Sequence, residues 1–275
     1  MQGSHRDSAR RGSRMTELRN RCREVRHWWE ARLLVKRDAA SGLLYQKVYG
    51  GRVFLRDNDA YLPKRQLEWL CREVYFGEYM PQPDDTVVDI GVGYGHEALY
   101  CHVRSPGVKY IGIEVQPSVY ECLANTLSPY RPKLRAFPLA ISDEAAVWLD
   151  SAAGDKYELV RTTSAGAVEI PTVSWPAFLE RFSVRRVSLL KVNIEGGERD
   201  LFPALGALDA VDRVIVSAHD FRAERGEGER FRTRQFVMDY LSQAGFRPRS
   251  VRDEPWWRDW IFADRRRDER HQLSG

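Results

Sequence analysis

The chain has 275 residues, 43% of them hydrophobic, with 43 Lys and Arg against 39 Asp and Glu. This length fits one large domain with an N-terminal extension, or two small domains, and the apolar fraction is ample for a packed core. No apolar run approaches the ~18 residues of a membrane span and no apolar signal segment begins the chain, so a cytoplasmic protein without a membrane span is expected. The four cysteines show no C-x-x-C spacing, which indicates neither a zinc site nor a disulfide framework.

The basic excess is mostly terminal, in residues 6–37 and in Arg265–Arg267. Arms of this kind are typical of solvated termini, and phosphate contacts to a nucleic acid are the alternative. Residues 1–15 are polar and nearly free of apolar side chains, so they predict a flexible leader. Residues 265–275 are expected to form a disordered tail.

Residues 16–80 predict a cap on the core. A helix is expected from Thr16 through Leu33, with Trp28 and Trp29 packed against the core; the alternative is a lid or a homodimer contact. A hairpin is then predicted around the Gly50-Gly51 pair, with its strands at Leu43–Tyr49 and Arg52–Leu55.

A helix over Arg65–Tyr79 should follow Pro63, so that hairpin and helix together cover the carboxyl end of the sheet. Tyr61, in the loop before Pro63, is a candidate contact for a ligand, and a purely structural role is the alternative.

The stretch Thr86–Leu99, T-V-V-D-I-G-V-G-Y-G-H-E-A-L, predicts a buried strand, a glycine loop and a helix. Its glycines allow a sharp turn and close approach to a ligand, and the helix start leaves unpaired N–H groups facing that ligand. A dinucleotide fingerprint, G-x-G-x-x-G, would have its last glycine where His96 stands, so a pyrophosphate-binding loop is disfavoured.

Two carboxylates accompany this loop, Asp89 just before it and Glu114 at the end of the next predicted strand, Tyr110–Glu114. In this arrangement the chain resembles the class I S-adenosylmethionine-dependent methyltransferases. The resemblance implies that the loop lies against the methionine part of the cofactor and that Glu114 accepts both ribose hydroxyls. A glycine-rich turn in another doubly wound protein is the alternative.

Strand three is expected over Leu134–Ala140, after a helix that Pro117 opens. The segment A-I-S-D follows, and the same resemblance implies that Ile141 lies against adenine and that Ser142 or Asp143 meets its amino group; Asp143 as a turn residue is the alternative. Short antiparallel strands predict an inserted substrate wall, and a helix begins near Ser174. These strands are Val147–Leu149, Glu158–Arg161 and Val168–Val173.

A further buried strand, Val187–Asn193, runs into I-E-G-G-E, so Asn193, Glu195 and Glu198 should cluster at its carboxyl end. Strand five, Val211–Ala218, ends at His219-Asp220 on the same edge. In an open parallel sheet, ligands bind at this edge, where the strand order switches.

With these stretches the chain resembles the FkbM family of methyltransferases. The matching motifs are D-x-G-x-x-x-G at Asp89–Gly95, the acidic Glu114, A-x-S-D at Ala140–Asp143, and L-K-[IV]-[DN]-[IV]-E-G-x-E at Leu190–Glu198. The resemblance, over about Val53–Phe262, implies a class I α/β fold: seven mostly parallel strands with helices on both faces, here over residues 81–264. It also implies O-methylation of hydroxyls on sugars, glycolipids, polyketides or related metabolites.

The implied cofactor is S-adenosylmethionine. The residues expected to bind it are Asp89, Gly91, Val92, Gly93, Glu114, Val115, Ile141, Ser142 and Asn193. Val92, Tyr94 and Asn193 depart from the commoner residues of the family, and Asn193 in place of aspartate is suited to positioning rather than to proton transfer.

His219 is the candidate base, because imidazole titrates near neutrality; a structural histidine is the alternative. Glu195 and Asp220 are expected to orient His219, or to join it around a divalent cation, although no metal is expected. Glu198 could act through its charge at a helix N-terminus. Arg222–Glu229 predicts a mobile substrate loop or a surface connector.

The closing elements are predicted as a helix over Phe231–Ala244 and strands over Arg247–Val251 and Trp257–Ala263, with Trp256 and Trp257 as core or pocket residues. The expected partner is a small-molecule or glycosylated acceptor, without nucleic acid. Two alternatives stay open: a nucleic-acid methyltransferase, weakened by the lack of N-P-P-[YF] after strand four, and a binding protein without turnover.

Overall fold

The computed structural model describes residues 28–150, 158–160, 166–252 and 255–266. The expected leader, most of the first helix and residues 267–275 of the expected tail lie outside the described residues. In these described ranges no helix is both long and apolar enough to cross a membrane.

The strands of the described chain follow in order. They are β1 (Lys36–Arg37), β2 (Leu44–Val48), β3 (Gly51–Leu55), β4 (Thr86–Ile90), β5 (Lys109–Ile113), β6 (Leu134–Phe137), β7 (Ala140–Ile141), β8 (Val147–Asp150), β9 (Glu158–Val160), β10 (Val168–Ile170), β11 (Thr172–Val173), β12 (Leu189–Val192), β13 (Arg213–Ser217), β14 (Phe246–Ser250) and β15 (Trp260–Arg265).

The helices are numbered the same way. They are α1 (residues 28–34), α2 (Lys64–Trp69), α3 (His96–Arg104), α4 (Pro117–Leu127), α5 (Trp175–Arg181), α6 (Glu198–Leu205), α7 (Asp220–Glu224), α8 (Arg234–Gln243) and α9 (Pro255–Arg258). A π-helical segment, Leu70–Tyr75, continues α2, and 3₁₀ turns cover Ser128–Tyr130 and Glu229–Phe231.

The central sheet has seven strands in the order β14-β15-β13-β12-β4-β5-β6. All neighbours from β13 to β6 pair in parallel, and β15 pairs antiparallel with both β13 and β14. The strand order reverses between β4 and β12, which places the expected ligand crevice at the carboxyl ends of these two strands. The predicted seven-stranded, mostly parallel sheet is confirmed.

Each face of the sheet carries its own core, because successive strand residues point to opposite sides. Val87 and Leu189 pack on one face with α3, α4 and the N-terminal cap. Val88 and Leu190 pack on the other face with α5, α6 and α8. Helices therefore cover both faces, as predicted.

The predicted hairpin forms, with its turn shifted by one residue. Val48 pairs with Gly51, so Tyr49 and Gly50 are the two turn residues, and both have positive φ (50° and 78°). Two positive φ values are typical of the tight turn that matches strand twist. Gly51, expected in the turn, begins β3 instead.

The remaining cap residues pack differently from the prediction. Trp28 and Trp29 are 45% and 56% exposed and contact each other edge to face, so their expected packing on the core is wrong. Ala31 is the buried residue of α1. Tyr61 is buried in the core beneath the cap, and the helical segment ends at Tyr75 rather than Tyr79.

Two predicted strands are each divided by a proline. Pro138 separates β6 from β7, and Pro171 separates β10 from β11. Proline has no amide to donate, so neither ladder continues through it. As a result β10 pairs antiparallel with β8, whereas β11 leaves the insertion and pairs in parallel with β7.

The end of the chain shows smaller differences. The helix α8 begins at Arg234, since Phe231 lies in a 3₁₀ turn. Trp257, expected in the last strand, lies in α9 instead. The strand β15 extends to Arg265, whose guanidinium donates to the backbone oxygens of Leu208 and Val211, so the expected tail begins slightly later.

Candidate active site

The glycine loop follows β4, and its three glycines all have positive φ: 80° at Gly91, 61° at Gly93 and 85° at Gly95. A Cβ atom on Gly91 would lie 2.1 Å from the carbonyl oxygen of Asn193, so the loop contacts the end of β12 directly. A Cβ atom on Gly93 would meet no atom within 4 Å. The loop is therefore closed on its β12 side and open at Gly93, as a cradle for a ligand requires.

Glu114 lies beside this open part of the loop. One carboxylate oxygen accepts the Gly93 amide at 3.0 Å, and the other accepts the Gln116 amide at 3.0 Å. Burial raises the pKa of Glu114, although these amide donors oppose the shift. The geometry keeps the carboxylate fixed at the mouth of the cradle, next to Gly93.

Asp89 differs from its expected position, because its carboxylate is fully buried. It accepts from the Lys191 ammonium at 3.0 and 3.2 Å and from the Tyr110 hydroxyl, and Glu97 lies 3.6 Å from the same ammonium. The structure therefore places Asp89 beneath the loop and not at its surface.

Lys191 is the buried partner that the sequence analysis did not single out. Burial by itself lowers the pKa of its ammonium, but the carboxylates of Asp89 and Glu97 outweigh burial and raise it. The ammonium therefore stays charged. The signal that could have found it is a single lysine inside the otherwise apolar V-S-L-L-K-V run, since a charge in a buried strand requires a counter-charge.

The side chains that depart from the family pattern fill space around the loop. Val92 is buried in the core beside Gly112, so only its backbone can face a ligand. Tyr94 packs against Tyr45 and Phe54 of the hairpin. His96 is buried, and burial lowers its pKa to about 4, so a neutral ring begins α3.

The segment expected to meet adenine follows β6, which pairs with β5, and its strand β7 pairs with β11. Ile141 is buried, and Val115 packs against Ala140 and its neighbours. The Ser142 amide donates to the Val173 oxygen at 3.1 Å, and the Ser142 hydroxyl accepts the Glu144 amide. This hydroxyl is thus engaged in the local turn.

The end of β12 presents an unpaired oxygen. The backbone N–H of Asn193 donates to the backbone oxygen of Ile90 at 2.9 Å, which holds the residue against β4. Its side-chain Oδ1 is buried and has no hydrogen-bond partner in the described part of the chain. Buried polar atoms are normally paired, so this oxygen indicates a missing donor.

His219 is 8% exposed and has a positive φ of 58° at the end of β13. Its Nδ1 lies 3.1 Å from the Ser217 carbonyl oxygen and 3.9 Å from a carboxylate oxygen of Glu198. Both neighbours are acceptors, which favours a proton on Nδ1 and a lone pair on Nε2. The Ser217 hydroxyl lies 3.3 Å from Nε2.

The residues expected to orient His219 are engaged elsewhere. Glu195 is 61% exposed at its side chain and pairs with Arg222. Asp220 accepts the Thr233 and Arg234 amides at 2.8 and 2.9 Å and so caps α8. The structure thus contradicts both predictions of contact with His219, since positive φ at Glu195 and the start of α7 turn these side chains away.

Glu198 lies beside His219, in the position that was expected for Glu195 or Asp220. It is fully buried, one of its oxygens accepts the Gly196 amide at 3.3 Å, and the other has no partner among the described residues. Its position at the start of α6 aims it back towards β13.

Arg222 is a second residue that sequence reasoning missed. It is 8% exposed, bonds Glu195 and Glu227, and lies 3.9 Å above the Phe231 ring. The segment predicted as a mobile loop therefore contains the helix α7 and a buried arginine. Within the described ranges, no group of three or more His, Cys, Asp or Glu is placed to hold a metal ion.

Comparison with known proteins decides the family. The family model described as the methyltransferase FkbM domain matches residues 89–248, which include the glycine loop, Glu114, the end of β12 and His219. The chain belongs to the FkbM methyltransferase family. This FkbM protein is therefore a methyltransferase of the S-adenosylmethionine-dependent kind, with the class I fold. No curated protein matches it by sequence.

Solved structures resemble the FkbM chain at low identity. Aeropyrum pernix fibrillarin with natively bound S-adenosyl-L-methionine is 14% identical, with a TM-score of 0.42 and coverage of 83% of this chain and 96% of that chain. A fibrillarin/Nop5p complex is 14% identical (TM-score 0.45; coverage 84% and 97%). A precorrin-6y methyltransferase from Geobacter metallireducens is 8% identical (TM-score 0.41; coverage 74% and 91%). Nothing about the acceptor follows from these likenesses.

The residues present fit the cofactor. The open space at Gly93 leaves room for a ligand against the backbone, and Glu114 offers a fixed acceptor beside it. The unpaired Oδ1 of Asn193 supplies a further acceptor.

Proposed function

We propose that this protein transfers a methyl group from S-adenosylmethionine to a hydroxyl of a small-molecule, sugar or natural-product acceptor. The observation that carries the proposal is His219, which is buried beside the fully buried Glu198 at the carboxyl edge of the sheet. A hydroxyl must lose its proton on methylation, and an imidazole that is held by the Ser217 carbonyl oxygen and lies near a carboxylate is suited to accept it.

The cofactor supplies a methyl group on a positively charged sulfur. Glu114 would accept hydrogen bonds from its ribose hydroxyls, and the backbone at Gly91–Gly93 would lie against its methionine part. The buried Oδ1 of Asn193 accepts a donor from the cofactor or from the acceptor hydroxyl. Val115, Ile141 and Ser142 form the adenine side, with the Ser142 amide already bonded to Val173.

His219 acts as the base. With S-adenosylmethionine bound, its sulfonium would supply the methyl group to the acceptor oxygen, and Nε2 of His219 would accept the hydroxyl proton. The Glu198 carboxylate, near Nδ1, stabilises the positive ring that results. Most of the acceleration comes from holding the oxygen in line with the methyl group.

The proposal also covers the location of the protein, its oligomeric state and its use of metal. We place the protein in the cytoplasm, because Cys71, Cys101 and Cys122 are free thiols buried in the described chain. The exposed apolar residues of α1, Trp28, Trp29, Leu33 and Leu34, suit a homodimer contact. The proposed reaction uses no metal.

A labelled-methyl screen tests the proposed acceptor class. Protein, methyl-labelled S-adenosylmethionine and panels of hydroxylated sugars and polyketides are incubated in parallel with a short RNA and a DNA oligonucleotide. We expect label in the hydroxylated compounds, unchanged by a chelator. Label in an oligonucleotide alone would support the nucleic-acid alternative, and cofactor binding without label in any arm would support a binding protein.

Variants of the protein, assayed with the acceptor that the screen identifies, then test the base. His219→Ala should lower kcat by roughly a hundredfold or more, in line with the contribution of a general base. Glu198→Gln should lower kcat with little change in KM, because Glu198 acts through His219. Glu195→Gln is the matched control, since its side chain is exposed and paired with Arg222. An unchanged kcat in His219→Ala would remove His219 as the base.

A further inference from the structure

A groove of about 540 Å³ opens at the amino ends of the strands, on the edge of the sheet opposite the candidate active site. The first residues of β4, β5, β6 and β13 border it, together with the segment 182–186 after α5. We call it the amino-edge groove. Its volume lies within the range of small-molecule sites, and the proposed methyl transfer does not use it.

Cations outnumber carboxylates in the lining of the amino-edge groove. The cationic side chains are Lys109, Arg135, Arg185, Arg186 and Arg213, and the acidic ones are Asp84, Asp85 and Asp212.

The ion pairs within this set leave positive charge over. Arg186 pairs with Asp212 at 2.6 Å, and Arg213 pairs with Asp264 at 3.5 Å. Asp85 accepts hydrogen bonds from the Tyr79 hydroxyl and the Gln82 amide; these donors outweigh burial and lower its pKa, so Asp85 keeps its negative charge.

Three cations stay without a carboxylate. In the described chain, Lys109, Arg135 and Arg185 form no ion pair. Arg135 stands next to Ile111 in the register of β5 and β6, so Lys109 and Arg135 lie on the same face of the sheet. Arg185 is an exposed lining residue on the segment after α5, and the Phe182 ring of the same segment lies 5.7 Å from the Arg135 guanidinium.

Three cations that line one groove favour a ligand that carries several negative charges, and guanidinium groups suit phosphate oxygens in particular. A long nucleic acid is disfavoured, because Asp84, Asp85 and Asp212 interrupt the cations of the lining and a strand needs a longer run of positive charge. The apolar wall at Phe182 and Val184 suits a compact organic part.

From this geometry we infer that the amino-edge groove binds a small phosphorylated molecule of about mononucleotide size, at a second site separate from the cofactor cradle.

Titration calorimetry at low salt tests this site, with pyrophosphate and AMP as probes and with saturating S-adenosylhomocysteine to fill the cofactor cradle. The test variant is Lys109→Glu/Arg185→Glu. The control is Lys64→Glu/Arg65→Glu, which makes the same charge change at two exposed residues of α2 outside the groove. Binding of S-adenosylhomocysteine is measured for every variant as the check of folding.

We expect the double variant to bind pyrophosphate roughly tenfold more weakly or worse, because attraction becomes repulsion at two contacts. The Lys64→Glu/Arg65→Glu control should stay within about twofold of the parent at fixed ionic strength. If the double variant fails the folding check, Arg185→Glu alone replaces it, since Arg185 is exposed on a loop.

Two results would overturn the inference. One is that the parent protein binds neither probe at millimolar concentration, or that the parent and the double variant bind both probes with equal affinity. The other is a single-stranded oligonucleotide that binds more tightly than AMP and loses its binding in the double variant, which would identify a nucleic-acid surface. Cofactor binding is read separately, so failure here leaves the proposed methyl transfer standing.

Discussion

Glu114 is held by two backbone amides at the mouth of the cofactor cradle, so its charge and position are both fixed before a ligand arrives. Glu114→Ala should weaken S-adenosylhomocysteine binding by roughly a hundredfold or more, because hydrogen bonds to a charged acceptor contribute about 1.5–3 kcal/mol each. Glu114→Gln, which keeps an acceptor oxygen, should lose less. Equal affinity in Glu114→Ala and the parent would contradict the assignment.

The same carboxylate predicts the pH dependence of binding. Burial raises the pKa of Glu114, so it takes up a proton at a higher pH than an ordinary glutamate. S-Adenosylhomocysteine affinity should therefore be level at neutral pH and should fall as the pH drops through the raised pKa. Calorimetry along a pH series measures this, and Glu114→Gln should abolish the acidic decline.

Gly91 and Gly93 lie in the same loop, and alanine at the two positions should have different effects on stability and on cofactor binding. Gly91→Ala should destabilise the fold by about 3 kcal/mol or more, because its Cβ would overlap the Asn193 carbonyl in a backbone conformation unfavourable to alanine. Gly93→Ala has open space and should cost only about 1 kcal/mol, yet its methyl group would fill the cradle and block the cofactor. Denaturant unfolding and calorimetry separate the two effects.

A reversal of this order would count against the cradle. If Gly93→Ala bound S-adenosylhomocysteine as the parent does, the open space beside it would not be the cofactor site.

Neighbouring elements are joined by the buried pair of Asp89 on β4 and Lys191 on β12. Lys191→Met should destabilise the protein by about 3–5 kcal/mol, because it leaves the Asp89 carboxylate buried without a counter-charge. Asp89→Leu/Lys191→Met should recover part of that loss, because the Asp89 charge is then removed and only the Glu97 carboxylate stays buried without its counter-charge. Denaturant unfolding measures both. A double variant as unstable as the sum of the single variants would show that the pair is not coupled.

Elements with long apolar runs could be predicted from the sequence. Apolar runs around Val87, Leu190 and Val214 correctly predicted the strands β4, β12 and β13, and with them the glycine loop. A strand that is buried on both faces has a continuous run of apolar residues, which is visible in the sequence. The division of strands at Pro138 and Pro171 has an equally local cause.

The partner of His219 could not be predicted, because it depends on where side chains point after a turn. Glu195 and Glu198 are three residues apart, and the positive φ at Glu195 sends one carboxylate to Arg222 and leaves the other beside His219. Trp28 and Trp29 are a similar case, since an apolar helix face does not say which surface covers it.

For the whole molecule, cofactor binding and folding are linked. S-Adenosylhomocysteine at about 100 times its dissociation constant should stabilise the native state by about 2.7 kcal/mol. In a chain of this size that corresponds to a rise in Tm of about 5–10 °C. Differential scanning calorimetry should show this rise in the parent and in Lys109→Glu/Arg185→Glu, and little of it in Glu114→Ala. A full rise in Glu114→Ala would place the ligand elsewhere.

Two non-glycine residues at the candidate catalytic edge, Glu195 and His219, have left-handed backbone conformations. Each such residue costs on the order of 1 kcal/mol that a glycine would not. Substituting glycine at either position would relieve this strain, and at position 219 it would also remove the proposed base. A search for heat-resistant variants would therefore tend to select, at position 219, proteins that fold better and catalyse less.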